Sequence, residues 1–153
     1  MSLHSNTHTD AHTDHGKLAR NLAMVTGGVF LLVGVLGFVP GITTNYDSME
    51  FAGHESGAKL LGIFQVSVLH NLVHLLFGLA GLAMARKATT AINYLIGGGV
   101  IYFVLFLYGL FVGHDDDANF VPLNDADNWL HLILSLAMVA MGIAGRRALA
   151  DRR

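Results

Sequence analysis

The chain has 153 residues, of which 53% are hydrophobic and only 13% charged, against about 25% charged in an ordinary soluble domain. Its nine basic and eleven acidic residues nearly cancel, which removes the electrostatic basis for nucleic-acid binding. With no cysteine it can form no disulfide, thiolate metal site or cysteine nucleophile. The apolar residues fall in long runs, which is the pattern of an integral membrane protein.

Residues 1–16 form a polar, histidine-rich tail with almost nothing to bury, and disorder is expected there. His4, His8, His12 and His15 are spaced three or four apart and on a helix would share a metal-chelating face; the plainer reading is a solvated tail. A transmembrane domain is predicted over residues 17–147. Its first helix, residues 18–39, follows Lys17 and ends at Pro40-Gly41. A polar connection with Asp47, Glu50, His54 and Glu55 leads to a second helix over residues 60–85, closed by Arg86-Lys87. Thr89-Thr90 is expected to cap a third helix over residues 91–113. There Tyr94 reads as an interfacial anchor, and Tyr102 as a residue that hydrogen-bonds inside the bundle. A loop containing Asp115-Asp116-Asp117, Asp125 and Asp127 precedes the fourth helix, residues 128–145, with Trp129 at the interface. Residues 148–153 are a basic tail.

Lysine and arginine set the orientation. Eight of the nine lie in the N-terminal tail, in the short loop after helix two or near the C-terminus, and only Lys59 lies in the two longer loops. Both termini are therefore expected in the cytoplasm, and the longer loops outside carry eight of the eleven acids. His54 and His114, with neighbouring acids, form a weaker outer metal-site reading beside that of an ordinary solvated loop.

Helices two and four share a motif. The segment from His70 to Gly78 aligns without gaps on that from Asp127 to Ser135, matching Asn71 to Asn128 and His74 to His131. Gly37 to Gly41 and Gly109 to Gly113 match more weakly. The fold class expected is all-α membrane: four transmembrane helices in an antiparallel bundle of two tandem hairpins related by an axis along the membrane normal. At helical spacing His70, Asn71, His74, Gly78 and Gly81 share a face of helix two, and Asn128, His131, Ser135 and Gly142 a face of helix four. These faces should meet inside the bundle. Gly27, Gly34 and Gly37 give helix one a small-residue face for close packing.

The Gly37-Phe38-Val39-Pro40-Gly41 turn, the run from Leu61 through His70-Asn71-Leu72-Val73-His74 to Gly78, and Pro122-Leu123-Asn124 leading to Asn128-Trp129-Leu130-His131 resemble a bacterial membrane family known as domain of unknown function 4383. The resemblance covers roughly residues 18–145 and leaves out the tail. It implies a four-helix, multi-pass protein of the bacterial cytoplasmic (inner) membrane, and brings no activity with it.

Three roles fit the cluster His70, Asn71, His74, Asn128 and His131. Hydrogen bonding across a helix interface is worth about 0.6–2 kcal/mol per contact, and bundle adhesion is the first reading. The second is a transition metal held by His70, His74 and His131, or a haem held axially by His74 and His131. The third is ion or proton transfer, with titrating histidines but no intramembrane acid or base to couple to them. No nucleophile elbow, zincin motif or phosphate loop is present. The expectation is a non-enzymatic structural or partner-binding subunit in the lipid bilayer with no cofactor. The glycine faces of helices one and three motivate a homo-oligomer or a place in a larger complex.

Overall fold

The computed structural model describes residues 8–113, 116 and 118–151, with side chains from Gly16 onward. Among these residues there are four α-helices: α1 (His8–Leu36), α2 (Val68–Met84), α3 (Ala88–Phe111) and α4 (Asp125–Ala150). The segments Gly16–Leu36, Ala88–Phe111 and Asp125–Ala150 are long and apolar enough to cross a membrane, whereas α2, at 17 residues, is shorter. The helices therefore bear out the helical, membrane-type class.

Several boundaries differ from the expected ones for a local reason. Residues 8–16 continue α1 as helix instead of lying disordered. Extending an existing helix is far cheaper than nucleating one, so a polar tail can follow an apolar segment into helix. Residues 1–7, with His4, lie outside the described residues, as does His114. At its other end α1 stops at Leu36, short of Val39. Val39 precedes Pro40, which disfavours helical geometry there, and the Thr43 hydroxyl donates to the carbonyls of Leu36 (3.1 Å) and Gly37 (3.2 Å).

The larger correction concerns helix two, which begins at Val68 and not at Leu60. Residues 59–65 instead form a tight hairpin. β1 (Thr43–Thr44), β2 (Lys59–Leu60) and β3 (Phe64–Gln65) pair antiparallel in that order. The turn places Leu61 at φ 54° and Gly62 at φ 72°. Gly62 takes that conformation freely and Leu61 does not. Ser67 then caps α2, its hydroxyl oxygen accepting the His70 N–H at 3.1 Å.

Thr90 does not cap α3. Its hydroxyl donates to the carbonyls of Met84 (2.6 Å) and Lys87 (3.0 Å), so it closes the end of α2 instead. The Arg20 guanidinium joins it there, donating to the Ala85 carbonyl at 3.1 Å; a cation suits the negative end of a helix. α4 runs past both expected ends. Asn124 and Asp127 form a reciprocal capping box at its start, and helix continues through residues 148–150 of the basic tail.

α1 packs chiefly on α2, and α3 chiefly on α4. Both pairs run antiparallel, as the order of their contacts shows. Gly27 abuts Gly78 while Gly37 abuts Asn71; Gly99 abuts Ser135 while Gly109 abuts Asn128. In lipid no hydrophobic drive brings helices together, so this close packing has to hold them. α1 and α3 touch through Phe30 and Tyr102, whose rings stack at 5.4 Å and 16°. Of the two seams between the hairpins, α2 meets α3 less extensively than α1 meets α4, and α2 and α4 barely touch.

Most of the glycines expected to serve association with other chains are used within this one, although Gly97 of α3 is exposed with nothing within 4 Å of its Cβ position. A Cβ on Gly27 would lie 2.8 Å from the Gly78 carbonyl oxygen, one on Gly34 2.9 Å from the Leu75 nitrogen, and one on Gly142 3.2 Å from the Ile96 nitrogen. Gly81 faces Tyr94. Gly28, by contrast, has nothing within 4 Å of where its Cβ would be. Gly27→Ala should therefore destabilise the protein by about 1–3 kcal/mol. Gly28→Ala should be neutral, or stabilising by up to about 1 kcal/mol. Thermal unfolding of the two variants in the same detergent measures the contrast, and equal effects would refute this account of α1.

Candidate functional site

The polar faces of α2 and α4 turn inward near the end of the bundle that carries the two long loops, but they do not meet each other as expected: Asn71 packs on Gly37 and Asn128 on Gly109 within their own hairpins, and the rings of Phe30 and Tyr102 lie between His74 and His131. His70 and His74, one turn apart on α2, stack face to face with ring centres 4.4 Å apart and planes within 5°. The His74 Nδ1 lies 3.0 Å from the His70 carbonyl. A carbonyl only accepts, so Nδ1 carries the proton and Nε2 the lone pair. His74 lies against Phe30 at 5.5 Å and 55°. His131 lies against Tyr102 at 5.2 Å and 58°. With the Phe30–Tyr102 stack between the helices, these contacts make one continuous run of rings from α2 through α1 and α3 to α4.

The two asparagines take matching places beside glycines. The Asn71 amide fills the space that a Cβ on Gly37 would need, and the Asn128 amide does the same at Gly109. Both amide oxygens are buried with no hydrogen-bond partner, as are His70 Nδ1 and His131 Nδ1. The five residues do not form the side-chain network expected of them. Ring contacts and close packing hold them, and the Asn71 amide reaches only the Met49 sulfur, at 3.9 Å.

Nor do the three histidines form a ligand set. Among the described residues no three His, Asp or Glu side chains are grouped to hold a metal ion. Stacked parallel imidazoles send their in-plane lone pairs out side by side, not toward one point. For an axial pair on haem, His74 and His131 would each have to aim a nitrogen at a shared iron. Each instead lies against a ring of the inner aromatic pair.

The histidines line two cavities. A cavity of about 330 Å³ lies between α2, α3 and α4, walled by His70, Val73, His74, Tyr102, Leu105 and His131 and roofed by Phe120 and Val121. A smaller cavity of about 110 Å³ lies on the other side of the same histidines, between α1, α4 and the hairpin. Phe120 is tied down from below the loop, since its carbonyl accepts the Gly53 N–H at 2.7 Å.

Sequence reasoning missed Gln65 and the inward role of Asp127. The Asp127 carboxylate accepts the Gln65 backbone N–H at 3.0 Å and the Asn124 N–H at 3.2 Å. The Asn124 amide donates to the Ile63 carbonyl at 2.7 Å. These bonds clamp the hairpin onto the start of α4. The Asn-x-x-Asp spacing is a helix-start signal in its own right, and it could have located the cap. Tyr94 is also misplaced by the sequence reading: it is buried against Gly81 and Phe77 and is no interfacial anchor. Trp129 is exposed on the outside of α4, as expected for an interfacial ring.

A sheath of exposed apolar side chains around a histidine-lined interior defines a helical protein of membrane type. The chain belongs to the family described as Domain of unknown function (DUF4383), whose profile matches residues 20–144. No curated protein matches the chain, and no solved structure does.

Asp127→Ala should cost about 1–3 kcal/mol through the lost cap and the orphaned N–H of Gln65. Hydrogen exchange should rise across residues 59–66, with little change in α3. Uniform exchange along the whole chain would show that the clamp is not local.

Proposed function

We propose that this chain is a four-pass protein of the bacterial cytoplasmic membrane, with both termini in the cytoplasm, that acts by binding a small molecule in its histidine-lined cleft and not by catalysis. The carrying observation is the cavity of about 330 Å³ between α2, α3 and α4, more than twenty times the roughly 10–15 Å³ that a single water needs. It borders three buried histidines, of which His70 and His131 keep an unpartnered nitrogen. A partner-binding role drew on the glycine faces, and with Gly27, Gly34 and Gly37 packed inside the chain, ligand binding is the better supported role.

We further infer that α1–α2 and α3–α4 are tandem copies. Caps, packing and rings agree in one register. Ser67 and Asn124 cap α2 and α4; Gly27 meets Gly78 as Gly99 meets Ser135; Phe30 meets His74 as Tyr102 meets His131. Parallel repeats of this kind are a known membrane architecture.

A reporter fused after Arg153 should read as cytoplasmic, and a periplasmic signal would sink the orientation. For the cleft, Val73→Phe decides by the sign of its effect. If a bound molecule co-purifies in mild detergent, the substitution should expel it and lower the unfolding temperature by removing the ligand's stabilisation. If the cleft is only a void, nothing co-purifies and the added bulk stabilises the protein, and the ligand-binding role fails. A Soret band, or stoichiometric metal lost in His74→Ala, would favour a cofactor instead.

A further inference from the structure

The turn between β2 and β3 is not composed like a turn that faces water. Turns are dominated by Gly, Asn, Asp, Ser and Pro, and this one reads Leu61-Gly62-Ile63. Leu61 and Ile63 are 61% and 53% exposed. Leu61 also stands at φ 54°, a conformation that suits glycine or asparagine and disfavours leucine. With most of its side chain outside, Leu61 packs against little that would offset this.

The hairpin lies level with the membrane-crossing helices. Leu60, Leu61 and Phe64 share the wall of the smaller cavity with Val33, three residues before the end of α1, and with Leu134, nine residues inside α4. β3 is docked on Asp127 through the Gln65 N–H. Trp129, an exposed ring of the kind that collects at the membrane boundary, follows two residues later, about 3 Å along the helix. Irregular backbone at such depth is tolerated only where protein satisfies its polar groups. The N–H groups of Leu61, Gly62, Ile63 and Val66 donate to the carbonyls of Ile42 (2.9 Å), Lys59 (3.1 Å), Leu60 (3.1 Å) and Ala58 (3.0 Å). On the outer edge of β3, Asp127 accepts from Gln65 at 3.0 Å and the Asn124 amide donates to the Ile63 carbonyl at 2.7 Å. In water such an edge could be left to solvent; here α4 caps it.

We propose that the tip of this hairpin is inserted in the bilayer, with Leu61 and Ile63 among the acyl chains of the leaflet at the loop end. Lipid then helps to hold the hairpin over the seam between α1 and α4. The charges agree with that placement. The two long loops carry eight of the eleven acids, yet none lies from Ser56 to Ser67. Their one cation, Lys59, is exposed at the foot of the hairpin, where a long stem can lie along hydrocarbon while the ammonium reaches the lipid phosphates.

This rests on the four-pass membrane reading, and one measurement separates the two because the chain has a single tryptophan. The full chain is reconstituted in phosphatidylcholine vesicles whose lipid is brominated near the top of the acyl chains, and its fluorescence is compared with that in unbrominated vesicles. Trp129 of the unaltered chain should be quenched. With Trp129→Phe as background, Leu61→Trp should be quenched to a similar extent, emit at shorter wavelength than tryptophan in water and be shielded from iodide. Ile63→Trp, which leaves the strained position alone, should behave in the same way. If both variants emit at long wavelength, open to iodide and indifferent to bromine, the proposal is overturned while a quenched Trp129 keeps the membrane reading. If Trp129 is not quenched either, that reading falls as well. A second copy of the chain covering the tip would also refute it. Leu61→Cys, in a chain without cysteine, would then be joined to its neighbour by a bismaleimide, and bromine would leave both tryptophan variants unaffected.

Discussion

Phe30 stacked on Tyr102 is the contact on which the interior depends. Within each hairpin the backbones meet at small residues, and these pairs can approach as closely as van der Waals contact allows. Between hairpins the helices meet through two aromatic rings, with His74 and His131 packed against their outer sides. Rings hold backbones farther apart than glycines do. Toward the end that carries the chain termini, the seams close again on small residues, where Gly145 meets Ala19 and Gly81 takes the Tyr94 ring. Toward the loop end nothing small follows, and each seam splays into a cleft. The cavities are thus a geometric consequence of where the bulky side chains stand along four helices.

Much of this was legible in the sequence because membrane helices announce themselves by composition and their inner faces by spacing. The apolar runs located α1, α3 and α4, and the three- and four-residue spacing of His70, Asn71, His74, Gly78 and Gly81 correctly put all five among the buried residues of α2. The gap-free match of Asn71 with Asn128 and of His74 with His131 pointed to equivalent places; Asn71 packs on Gly37 and Asn128 on Gly109, and His74 lies against Phe30 and His131 against Tyr102.

What was not legible turned on local backbone choices inside apolar sequence. Residues 60–67 are as hydrophobic as a spanning helix, and only Gly62 hints at a turn. The strand pairing of Leu60 with Phe64 is decided by partners distant in sequence, Thr43 and Asp127 among them. Leu61 at positive φ is a conformation that residue propensities count against. Tyr94 misled for the opposite reason: its position near a helix start suggested an interface, but the absence of a side chain at Gly81 leaves a hollow that its ring fills. Periodicity tells which face turns inward and cannot tell how deep a neighbouring glycine makes that face.

The difference between the two seams is the part of the structure least explained by folding alone. A void forfeits dispersion contacts along its lining, and a buried polar atom without a partner carries a desolvation cost of about 1–3 kcal/mol. The larger cavity, about 330 Å³, carries more of the first cost than the smaller, about 110 Å³, and His70 and His131, each with an unpartnered nitrogen, border both. At the smaller one a seven-residue segment from Lys59 to Gln65 supplies hydrocarbon and a hydrogen bond together. The second long loop contributes Phe120 and Val121 to the larger cavity as a cover. The two seams are thus closed by different means, one by a hairpin that brings a hydrogen bond with its hydrocarbon, the other by two apolar side chains alone.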